Sequence, residues 1–335
     1  MKKYNVAILG ATGAVGQEML KLLIQRNFPF QELHLLASSR SAGKTITLNN
    51  KTYTIEETNE HSFQNIDIVL GAADNEIAKK YLPIAAKNGA MVIDNSSAFR
   101  LDKNIPLVIP EVNPQDVIGY HGIIANPNCA TIIALVALQP LHAIAKAKCM
   151  IVSTYQAVSG AGVNGITELS QQIQDIQAGN PIQSNVFQHQ IAYNVIPQIG
   201  DLQENGYFSE EVKMQNEGRK ILHLPDFHVS CTCVRVPVIR SHSESIYVEF
   251  ENKISVEEAR NVLRNAPGVK LVDDPENNLY PMPLDTSDQD LVYVGRIRED
   301  MSGHPNSLSF WCCGDQVRKG AATNAIQIAE LIIQN

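Results

Sequence analysis

Short apolar runs alternate with amphipathic stretches through the first 126 residues. YNVAIL (4–9) reads as a buried strand running into the glycine turn GATGAVG, and AVGQEMLKLLIQR (14–26) then places its apolar residues at helical spacing. LHLLAS (33–38), DIVLGA (67–72), MVIDN (91–95) and GIIAN (122–126) are further strands, and NEIAKKYLPIAAKNG (75–89) is a further helix. This alternation predicts a mostly parallel sheet with helices on both faces, a doubly wound α/β domain of Rossmann type.

After residue 127 the rhythm changes. CMIVSTYQAV, HVSCTCVRVPVIR, SIYVEF, GVKLV, LVYVGR and SLSFWCC are strand-like and separated by loops, so an α+β domain is expected. Two helices interrupt them. GVNGITELSQQIQDI spans 162–176, and SVEEARNVLRNAPG (255–268) opens with a capping box, Ser255 with Glu258, and closes at Gly268. A long helix is expected over 318–334. The stretch 179–206 carries few charges yet holds Phe187, Tyr193, Ile196 and Ile199, which fits either a subunit interface or an internally packed loop.

At 335 residues the chain is long for one core, consistent with two domains. It is 44% hydrophobic and 19% charged, with a net charge of -8 and no run of Lys and Arg, which argues against a nucleic-acid surface. The N-terminal lysines precede an apolar run broken by Gly10, Thr12 and Gly13, unlike a signal peptide, and Ala130 to Leu138 is too short to cross a bilayer. A cytoplasmic protein without membrane partners is expected. The cysteine pairs Cys231/Cys233 and Cys312/Cys313 are spaced too tightly for the usual zinc motifs, so no metal is expected.

The first candidate site is the turn Gly10-x-x-Gly13-x-x-Gly16, which follows a strand and opens a helix. Glycines there let backbone N–H groups approach a pyrophosphate at the positive helix end. The turn as a whole, including Thr12, Ala14 and Val15, is the expected dinucleotide cradle. An NAD site usually carries an acidic residue after the second strand, where it binds the ribose hydroxyls. Here that position reads ASSRSAGK (37–44), and Ser38, Ser39, Arg40 and Ser41 offer donors and a cation instead. Such a set suits a 2′-phosphate, so the expected cofactor is NADP.

The second is Cys129, in NPNCATII, with Asn128 as the expected N-cap of the helix that follows. A free thiol has a pKa of ~8.5, so about 3% would be thiolate at pH 7. A helix dipole supplies at most ~2 kcal/mol, or ~1.5 pKa units, so a basic partner is still needed. Among nine histidines His242 stands out, because it follows a strand carrying Arg235. That reading projects an acid/base group and an anion clamp from one strand end. A thiol beside a dinucleotide site points to aldehyde oxidation or its reverse through a thioester, since an aldehyde gives up hydride only after a nucleophile has made it tetrahedral.

The ordered set GATGAVGQ, SSRSAGK, DNSSAFR, NPNCATI, QAVSGAG, CVRVPVIRSHSES and VRKGAATNAIQIAE resembles the aspartate-semialdehyde dehydrogenase family over essentially the whole chain. The resemblance implies a two-domain, glyceraldehyde-3-phosphate dehydrogenase-like fold. The cofactor domain would take residues 1–127 with a returning C-terminal helix (316–335), and 128–315 would form the catalytic and dimerisation domain. It implies NADPH-dependent conversion of L-4-aspartyl phosphate to L-aspartate 4-semialdehyde and phosphate, towards lysine, methionine and threonine, by a homodimer or tetramer. By the same resemblance Cys129 is the nucleophile, His242 the acid/base and Gln156 the residue that orients substrate. Arg235 would grip the α-carboxylate and Glu217 the ammonium. Arg100, Lys220 and Asn128 would hold the phosphate, and Ser159, Gly160 and Gln316 would border the nicotinamide. Gly218 departs from the threonine common in the segment around Glu217 and Lys220. Acetylglutamyl-phosphate reductase, a Cys/His hydrolase and a non-catalytic NADP-binding protein are the competing readings.

Overall fold

A computed structural model describes residues 2–334, which divide into two compact units: the chain up to Asn128 together with the residues from Ala321 onward, and Cys129–Gly320. The first unit begins β1 (Tyr4–Leu9), α1 (Ala14–Gln25), β2 (Phe30–Ala37), β3 (Thr45–Leu48) and β4 (Lys51–Glu57). It continues β5 (Ile68–Gly71), α2 (Asn75–Lys87), β6 (Met91–Asp94) and β7 (Ile123–Ala125). The sheet order is β3-β4-β2-β1-β5-β6-β7, parallel throughout except for the β3–β4 edge hairpin. Because β2 and β5 lie on opposite sides of β1, the chain reverses winding direction there. The carboxyl end of β1 is where a doubly wound sheet opens a crevice.

The hairpin was not among the expected strands. Its signal is present but weak: Tyr53 and Ile55 alternate with polar residues, and Asn49 and Asn50 both take positive φ, as a two-residue type I′ turn needs.

The second unit opens with α3 (Cys129–Ala145), β8 (Ala147–Gln156) and α4 (Gly162–Ala178). Then follow α5 (Ser209–Ile221), β9 (His228–Arg235), β10 (His242–Phe250), α6 (Val256–Arg264), β11 (Val269–Leu271), α7 (Pro283–Thr286), β12 (Val292–Glu299) and β13 (Ser307–Gly314). Its six-stranded sheet runs β11-β12-β13-β10-β8-β9 and is mixed. The Ser255/Glu258 capping box forms as expected, but α6 ends at Arg264, earlier than Gly268, because Pro267 cannot supply the N–H that a continuing helix requires. In the segment 179–206, Glu168 accepts the N–H groups of Asn185, Val186 and Phe187, and Gln172 accepts those of Ile191 and Ala192. Phe187 and Ile196 are buried in this internal packing, whereas Tyr193 stays exposed.

Helix α5 was not anticipated, for a physical reason. Its buried positions include Glu210, Glu211 and Glu217, so the face turned inward is not apolar and hydrophobic periodicity cannot reveal it.

The expected C-terminal helix is split. Residues Arg318–Ala322 form one turn of π-helix, and only then does α8 (Thr323–Gln334) begin. Helix α8 belongs to the first unit, where Glu330 makes a two-bond pair with Arg26, the residue that caps the end of α1, at 2.8 and 2.6 Å. Asn324 donates to Val108 O and Asn126 Oδ1.

Candidate active site

In the first unit the end of β1 opens onto a cavity of about 480 Å³. Gly10, Thr12, Gly13, Ser38, Ser39 and Arg40 line it, together with Glu57, Thr58, Asp74 and Tyr81. Gly10 has φ +87°, and a Cβ there would lie 2.6 Å from Ala72 O, so both conformation and space demand glycine. Gly16 has a different task from the one expected of it. A Cβ on it would strike Gly10 O, so it lets α1 close against the turn rather than admitting a ligand. Helix α1 has no side-chain cap and no acidic residue in its first turn, which leaves Ala14 and Val15 at an end suited to a phosphate. Ser41 is not part of the cavity wall. Sequence reasoning missed Glu57, which ends β4 beside β2; with that strand unrecognised, nothing placed it in the same cavity wall as Arg40.

In the second unit three strand ends carry the chemistry. Gln156 ends β8 and pairs in register with Arg235 at the end of β9. His242 begins β10, whose next residue Ser243 pairs with Tyr155. Arg235 and His242 therefore come from different strands flanking β8, not from one strand end as the sequence suggested. Cys129 begins α3, and its Sγ lies 3.4 Å from His242 Nε2. A Cβ on Gly320, within the π-turn, would come within 2.9 Å of Cys129 Cβ, so this glycine makes room for the nucleophile's backbone.

His242 is fully buried, and its Nδ1 accepts the Ala157 N–H at 3.0 Å. Burial first, then the neighbouring Arg235 cation, push its pKa down to about 3, with Glu210 opposing. Gln156 is fixed at both ends of its amide. Thr154 Oγ1 donates to its Oε1 at 3.0 Å, and its Nε2 donates to Glu210 Oε1 at 3.3 Å. Arg235 donates to Ala157 O at 2.6 Å and stands 5.8 Å from the Phe187 ring centre. Burial lowers the pKa of this arginine, and the charges of Glu210 and Cys129 work against the shift. Gln316 donates to Ser159 Oγ and accepts the Ser241 N–H, so Ser159, Gly160 and Gln316 all border the histidine.

A carboxylate that reaches this group is Glu210, through Gln156. Glu210 also pairs with Lys213 at 2.9 Å. Glu217 and Lys220 lie one heptad further along α5, about 10.5 Å away at 1.5 Å per residue, with Glu217 buried. Arg100 and Asn128 belong to the first unit. There Arg100 donates to Asn126 O and Asn95 O, and Asn128 is buried just before α3.

An uncapped glycine turn in a doubly wound sheet, with a separate domain carrying a histidine-paired thiol, defines a dinucleotide-dependent semialdehyde dehydrogenase. Comparison agrees: residues 5–120 match the semialdehyde dehydrogenase NAD binding domain and 138–319 the semialdehyde dehydrogenase dimerisation domain. The chain is 52% identical over 335 residues to the aspartate-semialdehyde dehydrogenase of Aquifex aeolicus, covering 99% of this chain and 98% of that one. It is 48% identical over 334 residues to that of Bacillus subtilis, covering 97% and 96%. Aspartate semialdehyde dehydrogenase II of Vibrio cholerae, solved in complex with ASA, superposes with a TM-score of 0.97 at 45% identity, over 100% of this chain and 99% of that one. The Candida albicans enzyme solved with NADP has a TM-score of 0.77 at 26% identity, with 99% of each chain covered. The chain belongs to the aspartate-semialdehyde dehydrogenase family.

Proposed function

We propose that this protein reduces L-4-aspartyl phosphate to L-aspartate 4-semialdehyde with release of phosphate, using NADPH in preference to NADH. The observation that carries the reading is the 3.4 Å approach of Cys129 Sγ to a buried imidazole among Gln156, Arg235 and Glu210. Cys129 attacks the acyl carbonyl to form a thioester, and His242 shares a hydrogen bond with the sulfur and with the oxygen that gains charge. Gln156 is locked by Thr154 and Glu210 and presents its amide at the same place. Arg235 keeps free N–H groups beyond the one spent on Ala157, and its planar fork suits the substrate α-carboxylate. Glu217 and Lys220 keep the ammonium and phosphate roles that the resemblance implies, with Glu210 holding the Gln156 amide. Arg100 and Asn128 keep the phosphate roles their motifs imply.

The bound dinucleotide supplies the hydride for the thioester. Gly10, Thr12, Gly13 and the start of α1 would hold its pyrophosphate, with Ser38, Ser39 and Arg40 at the ribose end. The six-stranded sheet leaves Ile151 and Tyr155 exposed beside Trp311, with the two aromatic rings 5.3 Å apart. This bare apolar face is the surface by which the second domain would pair two chains. The test is oxidation of aspartate semialdehyde with phosphate, with NADP and NAD side by side. Phosphate-dependent NADPH formation supports the reading. Turnover without a nucleotide would point to a hydrolase, and turnover only of the acetylated glutamate semialdehyde would point to the neighbouring reductase.

A further inference from the structure

We propose that Asn324, in the returning C-terminal helix α8, is a positioning residue for the phosphate. Through a one-way chain of side-chain amides it fixes the two backbone carbonyls that aim Arg100. The inference deepens the function proposed above and rests on it for the phosphate role of Arg100.

The guanidinium is held by two backbone acceptors. Arg100 Nε donates to Asn126 O at 2.9 Å, and Nη2 donates to Asn95 O at 2.8 Å. Asn95 directly follows β6 and Asn126 directly follows β7, two neighbouring strands of the first sheet. Arg100 is buried, so the direction of its planar fork depends on where those carbonyls stand.

The two asparagines are tied to each other and to α8 through their side chains. Asn126 Nδ2 donates to Asn95 Oδ1 at 2.8 Å, and Asn95 Nδ2 donates at 2.9 Å to Gly71 O, where β5 ends. On the other side Asn126 Oδ1 accepts from Asn324 Nδ2 at 2.7 Å, and the same nitrogen donates to Val108 O at 2.9 Å. Every amide in the chain therefore points the same way. Its direction is forced from both ends, because Val108 O and Gly71 O are carbonyls and can only accept. Turning over any one of the three amides would set oxygen against oxygen. All of these residues belong to the first unit.

Asn126 and Asn324 are fully buried, so a lost partner leaves a buried amide unsatisfied. Without the Asn324 side chain, Asn126 keeps one long contact to the C-terminal segment, from Nδ2 to Ala321 O at 3.4 Å. Its amide is then free to turn, and the carbonyls that Arg100 reads move with it. The step that suffers is the capture of phosphate.

The test is phosphate-dependent oxidation of aspartate semialdehyde with NADP at varied inorganic phosphate. Asn324→Ala should raise the KM for phosphate about 3–30-fold, the range for coupling through a packed network, with kcat at saturating phosphate and the KM values for aldehyde and NADP near the parent. Asn95→Ala breaks the chain at its more exposed end and should do the same. Glu330→Ala removes the α8 pair with Arg26 but spares the chain, and should leave the KM for phosphate unchanged. In an Arg100→Ala background Asn324→Ala should add less than about 2-fold, since the residue it acts through is gone. A parental KM for phosphate in Asn324→Ala and Asn95→Ala, equal rises in all three KM values, or the full effect persisting without Arg100 would each overturn the proposal. Binding of inorganic phosphate alone, read from the rise it causes in the thermal midpoint, should weaken by the same factor. That measurement needs no turnover, so a parent that binds phosphate but fails the phosphate-dependent assay would sink the functional reading and leave this proposal to the binding comparison.

Discussion

Replacing Gly320 by alanine puts one methyl group against the nucleophile. That Cβ would lie 2.9 Å from Cys129 Cβ and 3.3 Å from its Cα, whereas carbon atoms rest at about 3.5–4.0 Å, so the shortfall is roughly 0.6–1.1 Å. Neither atom is the far end of a flexible side chain, so the π-turn or the first turn of α3 has to move. Overpacking of this kind costs about 1–3 kcal/mol of stability, and a displacement near 1 Å at a reacting atom costs about 10²-fold in rate. Gly320→Ala should therefore fold with a midpoint lowered in urea, and lose about 10²-fold in kcat for phosphate-dependent oxidation of the aldehyde. Gly218→Ala is the control. Its Cβ would meet Phe227 ring carbons at 3.7 Å, and alanine is about 0.5–1 kcal/mol better than glycine inside a helix, so stability should rise and kcat stay level. A Gly320→Ala enzyme with parental kcat would refute the placement of Cys129 against this glycine.

Three further outcomes are expected. Arg40→Ala should raise the KM for NADP about 10-fold or more while leaving that for NAD nearly unchanged, because only the former has a 2′-phosphate to lose; equal changes would remove Arg40 from the site. Glu210→Gln should cut kcat/KM by about 10–100-fold, as expected for losing a charge-assisted contact worth ~1.5–3 kcal/mol; a parental kcat/KM would remove Glu210 from the site. Acid should destabilise the fold through His242. Its folded pKa is depressed from 6.5 to about 3, so the unfolded chain binds the proton first and stability falls as pH drops from about 6.5 towards 3. At ~1.4 kcal/mol per unit the loss approaches 5 kcal/mol, and His242→Gln should show a correspondingly shallower acid limb in urea titrations.

Much of the site was readable because it is local. Gly10 and Gly13 announce a turn between strand and helix within seven residues, and Asn-Cys at the head of an apolar run announces a nucleophile at a helix start. Arg235 and His242 are legible as neighbours along the chain and Gln156 only from motif order, since nothing local says that three strand ends will meet. The errors follow the same division. Glu210 goes unrecognised because α5 buries carboxylates, which hides its phase. Gly16 reads as a cofactor contact because a motif does not say which glycine faces ligand and which faces backbone.

The order of apolar and polar residues alone determined two domains, a doubly wound sheet in the first, strands in the second, and a thiol at a helix start. These follow from spacing along the chain, which local sterics and burial convert directly into elements. Only the tertiary structure decided that Glu210 reaches Gln156, that Gly320 makes way for Cys129, and that a backbone N–H meets Nδ1 of His242. Those outcomes depend on sheet register and helix phase, and register is set by the packing of whole faces against one another. No short stretch of residues contains that information.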